Sequence, residues 1–278
     1  MPMSQDSTFP PTAPPERAAA AAPARRRPRL ERLIARPEPV VGLCLAALTA
    51  IAWFWLLGAP PGMATMAMEP WSLSYLLPTF AMWSLMMVAM MLPSAAPMIL
   101  LYSRVSTQSG GSGRLAPTWV FLLAYLAVWT GFAALAALAQ ALLIATGAID
   151  AMALAAGDGR LAGALLLLAG FYQLSPLKRA CLDRCRSPLE FILRLSRPGT
   201  AGALRLGVAH GLYCLGCCWV LMTLLFVGGV MNLAWILGLS LLVVFEKYAP
   251  PSLHVRPLLA AALIVAGTLL VALPDHWL

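Results

Sequence analysis

The chain has 278 residues, of which 61% are hydrophobic and 11% are charged, whereas a soluble domain carries roughly 25% charged residues. This composition excludes an ordinary soluble domain. Long apolar runs recur, and no alternation of the kind found in membrane β-barrels competes with them. The sequence therefore predicts an all-α fold, that of a polytopic helical membrane protein. The net charge of +8 does not indicate nucleic-acid binding, because the basic residues follow the predicted topology.

The predicted elements begin with a disordered, Pro/Ala/Arg-rich cytoplasmic tail at residues 1–39, which has too few large apolar side chains to fold. Residues 40–278 are predicted to form a single helical transmembrane domain of about seven helices. The predicted spans are residues 40–58, 74–102, 117–147, 160–176, 206–229, 231–249 and 256–274. With the N-terminus in the cytoplasm, all 19 Lys and Arg residues except Arg160 lie on the cytoplasmic side, as the positive-inside rule requires. The C-terminus is then periplasmic.

Methionines dominate the first external loop and the second span. The loop contains Met63, Met66 and Met68. Their thioethers are soft ligands for Cu(I); the alternative interpretation is a flexible loop whose methionines pack on the helix ends. The second span carries four more methionines crowded on one side of a helix: Met86, Met87, Met90 and Met91. They indicate either core filling or a soft-metal path, and Pro93 and Pro97 predict a kink or an opening beside them. In the third span, Gln140 predicts only an interhelical hydrogen bond.

The loop after the fourth span carries Cys181 and Cys185, which are four residues apart and would stack on one face of a helix. Flanking basic residues, including Lys178 and Arg186, favour the thiolate form, which is the better nucleophile and metal ligand. The alternative interpretation is a solvated basic loop with two incidental thiols.

The fifth span contains the stretch HGLYCLGCCW, which starts at His210. On a helix, His210, Cys214 and Cys217 fall within about 60° of arc, with Cys218 a little beyond. Gly207 and Gly211 form a Gly-x-x-x-Gly spacing that lets a neighbouring helix approach closely, as a multi-helix ligand site requires. Buried Cys can also act as a small hydrophobe, so packing alone is the alternative.

The sixth span ends in Glu246 and Lys247 at the cytoplasmic boundary. Charges at this depth are costly and tend to be functional. The alternative is that Lys247 snorkels to the interface and pairs with Glu246.

Three motifs resemble a bacterial family of predicted metal-binding integral membrane proteins, catalogued as a domain of unknown function. They are WSLMMVAMMLPSAAPM at 83–98, YQLSPLKRACLDRCRSPLEF at 172–191, and HGLYCLGCCW with the residues that follow it to 247. The resemblance covers roughly residues 45–275. It implies a multi-pass protein of the bacterial inner (plasma) membrane that handles copper. The family pattern falls on Met86, Met87, Met90, Met91, Cys181, Cys185, Cys214, Cys217, Cys218 and Glu246. Cys44 and the arginine-rich tail are particular to this chain.

Three functional classes remain open from the sequence. The first is Cu(I) handling, as a transporter or a membrane chaperone with thiolate and thioether ligands and with His210 as an auxiliary ligand. A soluble or membrane copper-protein partner is expected with this class. Zinc is a weaker candidate because thioethers are not its usual ligands. The second class is a membrane thiol-disulfide oxidoreductase that uses the pairs Cys214/Cys217 and Cys181/Cys185. The third class is an inert structural subunit, which would require that both cysteine clusters and the methionine cluster serve only to pack the helices. No nucleotide-binding loop is present, so the chain is not expected to drive ATP-powered transport.

Overall fold

A computed structural model describes residues 37–58, 69–110, 116–250 and 253–273. The predicted tail up to residue 36 and the loop methionines Met63, Met66 and Met68 lie outside the described residues. Within those ranges the chain forms helices and no β-strand, so the predicted all-α class is confirmed there. The helices are α1 (Pro37–Gly58), α2 (Leu73–Gly110), α3 (Ala116–Ala145), α4 (Gly159–Leu174), α5 (Pro176–Arg186), α6 (Pro188–Leu195), α7 (Gly199–Thr223), α8 (Leu225–Gly228), α9 (Leu233–Tyr248) and α10 (Val255–Ala272).

Several of these helices are suited to a bilayer. Among the described residues, α1, α2, α3, the continuous α7–α8 stretch and α10 are each long and apolar enough to cross a membrane, and the bent pair α4–α5 would make a sixth span. α9 has 16 residues, so it is about 24 Å long and falls short of the roughly 30 Å hydrocarbon core. The structure thus supports a membrane protein, and the count of seven spans and the orientation of the termini stay predictions.

The bend between α4 and α5 follows from two adjacent residues, Ser175 and Pro176. Ser175 has extended backbone angles, ends α4, and accepts a hydrogen bond at Oγ from the backbone N–H of Lys178 in the first turn of α5. Pro176 occupies the first turn of α5, where its missing N–H costs no hydrogen bond. The axes of α4 and α5 meet at 65°, which turns α5 across the end of the bundle against α7.

Small residues allow the closest helix contacts. A Cβ added to Gly207 of α7 would collide with the Phe121 carbonyl oxygen of α3, and one added to Gly211 would lie 2.9 Å from Val128. The close approach predicted from the Gly-x-x-x-Gly spacing is therefore present, and its partner is α3. On the other side of the bundle, α4 and α10 meet in the same way at Gly163 and Gly267. Among the described residues, α7 packs most extensively against α3 and α5.

Candidate metal centre

Three of the predicted ligands occupy one buried face of α7. Cys214, Cys217 and Cys218 are each at most 2% exposed, as the helical spacing predicts. The Cys217 side chain neighbours those of Cys214 and Cys218, and also that of Cys185 from α5. All the cysteines of the chain are free thiols. Four thiols from two helices therefore share one small region of the interior.

A thioether from α2 completes this sulfur group. The Cys218 Sγ and Met91 Sδ atoms are 3.9 Å apart, so one ion could lie about 2.3 Å from both, a usual metal–sulfur distance. Met86, Met87, Met90 and Met91 are all fully buried. Met86 and Met87 lie one turn earlier on α2 than Met90 and Met91. α2 remains helical through Pro93 and Pro97, so the predicted opening of the helix is not found.

The Lys247 ammonium lies against the first cysteine. Its Nζ donates to Cys214 Sγ at 3.0 Å and to Ser94 Oγ at 2.8 Å. From α3, the Tyr125 hydroxyl lies 3.2 Å from Cys214 Sγ and donates to the Met91 carbonyl at 3.1 Å. The sequence reasoning missed Tyr125 and Ser94. The only signal available for Tyr125 was a hydroxyl within an apolar span that must find a buried partner.

Glu246 does not pair with Lys247, which was the alternative interpretation of the sequence. Glu246 Oε2 accepts from Lys178 Nζ of α5 at 2.8 Å, and the two side chains are 3% and 0% exposed. Arg186, at the end of α5, donates to the Glu246 backbone carbonyl. Glu246 Oε1 has no hydrogen-bond partner among the described residues. Glu246 therefore anchors α5 to the end of α9.

The segment that carries Cys181 and Cys185 is not the solvated loop considered from the sequence. It is helix α5, with Lys178, Cys181 and Leu182 buried. A Cβ on Gly216 of α7 would lie 2.7 Å from Cys181 Sγ, so the absence of a side chain at Gly216 makes room for this thiol. Cys185 is half-buried, and it is the thiol of α5 that meets the α7 group.

His210 lies one turn before Cys214 on the same buried face. Its ring packs among Phe121, Tyr125 and Phe191, with ring centroids 5.5–6.0 Å away. Its Nε2 atom has no hydrogen-bond partner among the described residues. A buried imidazole nitrogen without a partner is costly unless a ligand or a water satisfies it. His210 is therefore compatible with the auxiliary role expected from the sequence.

In the described part of the chain, no three His, Cys, Asp or Glu side chains are positioned to bind one metal ion together. One reason is that the thiols of Cys217 and Cys218 turn back along α7 to the Cys214 carbonyl, at 3.1 and 2.9 Å. Rotation about Cα–Cβ would free both thiols without moving the backbone. The donors within reach, thiols and one thioether, are those that select Cu(I) over harder ions.

A family model described as a copper chaperone, PpoB2, matches residues 80–270. This range contains every residue named above as part of the candidate centre. No curated protein matches the chain, and no solved structure does.

Proposed function

The chain belongs to the copper chaperone family PpoB2, and on that premise we propose that it holds Cu(I) within a bacterial inner membrane and passes it to a soluble or membrane copper-protein partner. The observation that carries this proposal is the meeting of Cys218 of α7 with Met91 of α2 at 3.9 Å, beside three further thiols. Two kinds of soft ligand from separate helices share one buried region there.

We assign the ligand roles as follows. Cys214, Cys217 and Cys218 form the central site, with His210 as auxiliary ligand. Cys185 and Cys181 on α5 form the relay towards the cytoplasm. Met86, Met87, Met90 and Met91 form the relay on the opposite side, with Met91 the member that reaches the thiols. Glu246 was predicted as a ligand from the family pattern, and its free Oε1 atom is the part of it available to a metal.

The direct test is the copper content of the protein purified in detergent under reducing conditions. The double variant C214S/C217S is expected to lose its bound copper, and C218S and M91L to retain less than the wild type. The matched control is C44S, since Cys44 is a half-buried thiol of α1 outside the group; it is expected to keep the wild-type stoichiometry. Equal copper in C214S/C217S and wild type would contradict the proposal.

Two alternatives are decided by the same preparations. Zinc instead of copper in the elemental analysis would identify a zinc protein. A disulfide between Cys214 and Cys217 that forms and breaks reversibly without bound metal would favour the thiol-disulfide oxidoreductase.

A further inference from the structure

Lys247 places a positive charge inside the group of proposed ligands. The residue is 5% exposed, and its Nζ contacts Cys214 Sγ and Ser94 Oγ at 3.0 and 2.8 Å. A buried ammonium requires a compensating partner. The adjacent carboxylate of Glu246 is paired with Lys178 instead. The partners of the Lys247 ammonium among the described residues are Ser94 Oγ and the sulfur of Cys214.

The contact between Lys247 and Cys214 limits the distance between the ammonium and any metal ion bound at Cys214. Since Nζ is 3.0 Å from Sγ and a metal–sulfur bond is about 2.3 Å long, the ion lies at most about 5 Å from Nζ. No solvent layer fits between them, so salt screening is weak at this depth. The ammonium repels a divalent ion at this place twice as strongly as a monovalent one.

We propose that Lys247 is a specificity-determining residue that favours monovalent over divalent soft metal ions at the Cys214 site. This inference rests on the proposed function. It adds what the ligand types alone cannot supply, because sulfur ligands select soft ions of either charge. For the same donor set, one extra unit charge about 5 Å from the ammonium lowers divalent affinity by about 300-fold at an effective dielectric of about 20.

The first experiment needs no substitution. Purified wild-type protein is titrated with Ag(I) and with Cd(II), two thiophilic ions of different charge, each in competition with a thiol chelator of known affinity. Ag(I) is expected to bind with the same stoichiometry as Cu(I). Cd(II) is expected to bind to the protein more weakly than its affinity for the free chelator would predict. If Cd(II) binds as tightly as Ag(I) on that scale, the inference is overturned.

The second experiment compares K247M with K247R. K247M removes the charge and keeps the length of the side chain, so the preference for Ag(I) over Cd(II), and for Cu(I) over Zn(II), is expected to fall by about 300-fold. K247R keeps the charge and is expected to keep most of the preference. An unchanged preference in K247M, with the wild-type number of titratable thiols and the same gel-filtration profile, would also overturn the inference.

The two proposals fail in different ways. A wild-type protein that binds neither Cu(I) nor Ag(I) refutes the proposed function, and the inference with it. A wild-type protein that binds Cu(I), Ag(I) and Cd(II) alike leaves the copper function standing and refutes only the role of Lys247.

Discussion

The buried ion pair between Lys178 and Glu246 makes a sharp prediction about stability. Its nitrogen and oxygen are 2.8 Å apart, with 0% and 3% of the side chains exposed. At an effective dielectric of about 20, Coulomb's law gives roughly 6 kcal/mol of attraction at this distance. The cost of removing both charges from water offsets much of this attraction, so the pair as a whole contributes little net stability.

Loss of one partner is a different perturbation, because it leaves the other charge buried without compensation. K178M and E246Q are each expected to lower the free energy of unfolding by about 3–5 kcal/mol. The double variant K178M/E246Q buries no charge and is expected to lie within about 1–2 kcal/mol of wild type. The double-mutant cycle should therefore return a coupling energy of at least about 4 kcal/mol.

The assay is equilibrium unfolding in mixed micelles, in which the fraction of denaturing detergent is raised and helicity is followed by circular dichroism. The chain provides its own control in Glu190 and Arg194 of α6, an ion pair of 2.8 Å with side chains 55% and 63% exposed. R194M is expected to cost less than about 1 kcal/mol. If K178M costs no more than R194M, or if the double variant is as unstable as the singles, the reasoning is refuted. Copper retained by K178M/E246Q would in addition show that Glu246 is dispensable as a ligand.

Two further predictions concern packing between the helices. G207A puts a methyl group onto the backbone of α3 and is expected to cost about 1–3 kcal/mol in the same assay. The control is G131A, where an added Cβ meets no described atom within 4 Å; it should be neutral or stabilising by about 0.5 kcal/mol. Equal effects of the two variants would contradict the close approach of α3 and α7. Gln140 accepts from the Trp83 indole N–H at 2.8 Å, so Q140L should cost about 1–3 kcal/mol by leaving that donor unpaired. W83F should then cost less in the Q140L background than in wild type, and additive costs would argue against this hydrogen bond.

The sequence was sufficient to predict the part of the candidate centre that lies on one helix. Helical periodicity puts His210, Cys214 and Cys217 on one face, and the structure buries all three. The glycine spacing likewise predicted that a neighbour comes close to α7. The interhelical hydrogen bond expected of Gln140 is also present. In each case local geometry decides the outcome.

The parts that could not be predicted depend on which helices meet. Glu246 and Lys247 are adjacent on α9, so their side chains diverge by about 100° around the helix and cannot face each other. The sequence does not show that one side faces Lys178 of α5 and the other faces Cys214 of α7. The bend at Ser175 had a local signal, a serine before a proline, but only tertiary packing shows that it turns α5 onto α7.

The residues of the proposed route are buried except for the last, which is half-buried. Met91 is fully buried, Cys218 and Cys217 are 1% and 2% exposed, and Cys185 is half-buried at the end of the series. Each of these groups neighbours the next. On the proposed route a soft ion would move by exchange of one sulfur ligand at a time, without a step in which it is bare in a low-dielectric interior, where an uncompensated charge is most costly. The last exchange, from α7 to α5, depends on how α5 is held, and the Lys178–Glu246 pair holds it. The residues that fix the fold at this end of the bundle are thus the ones on which release of the metal would depend.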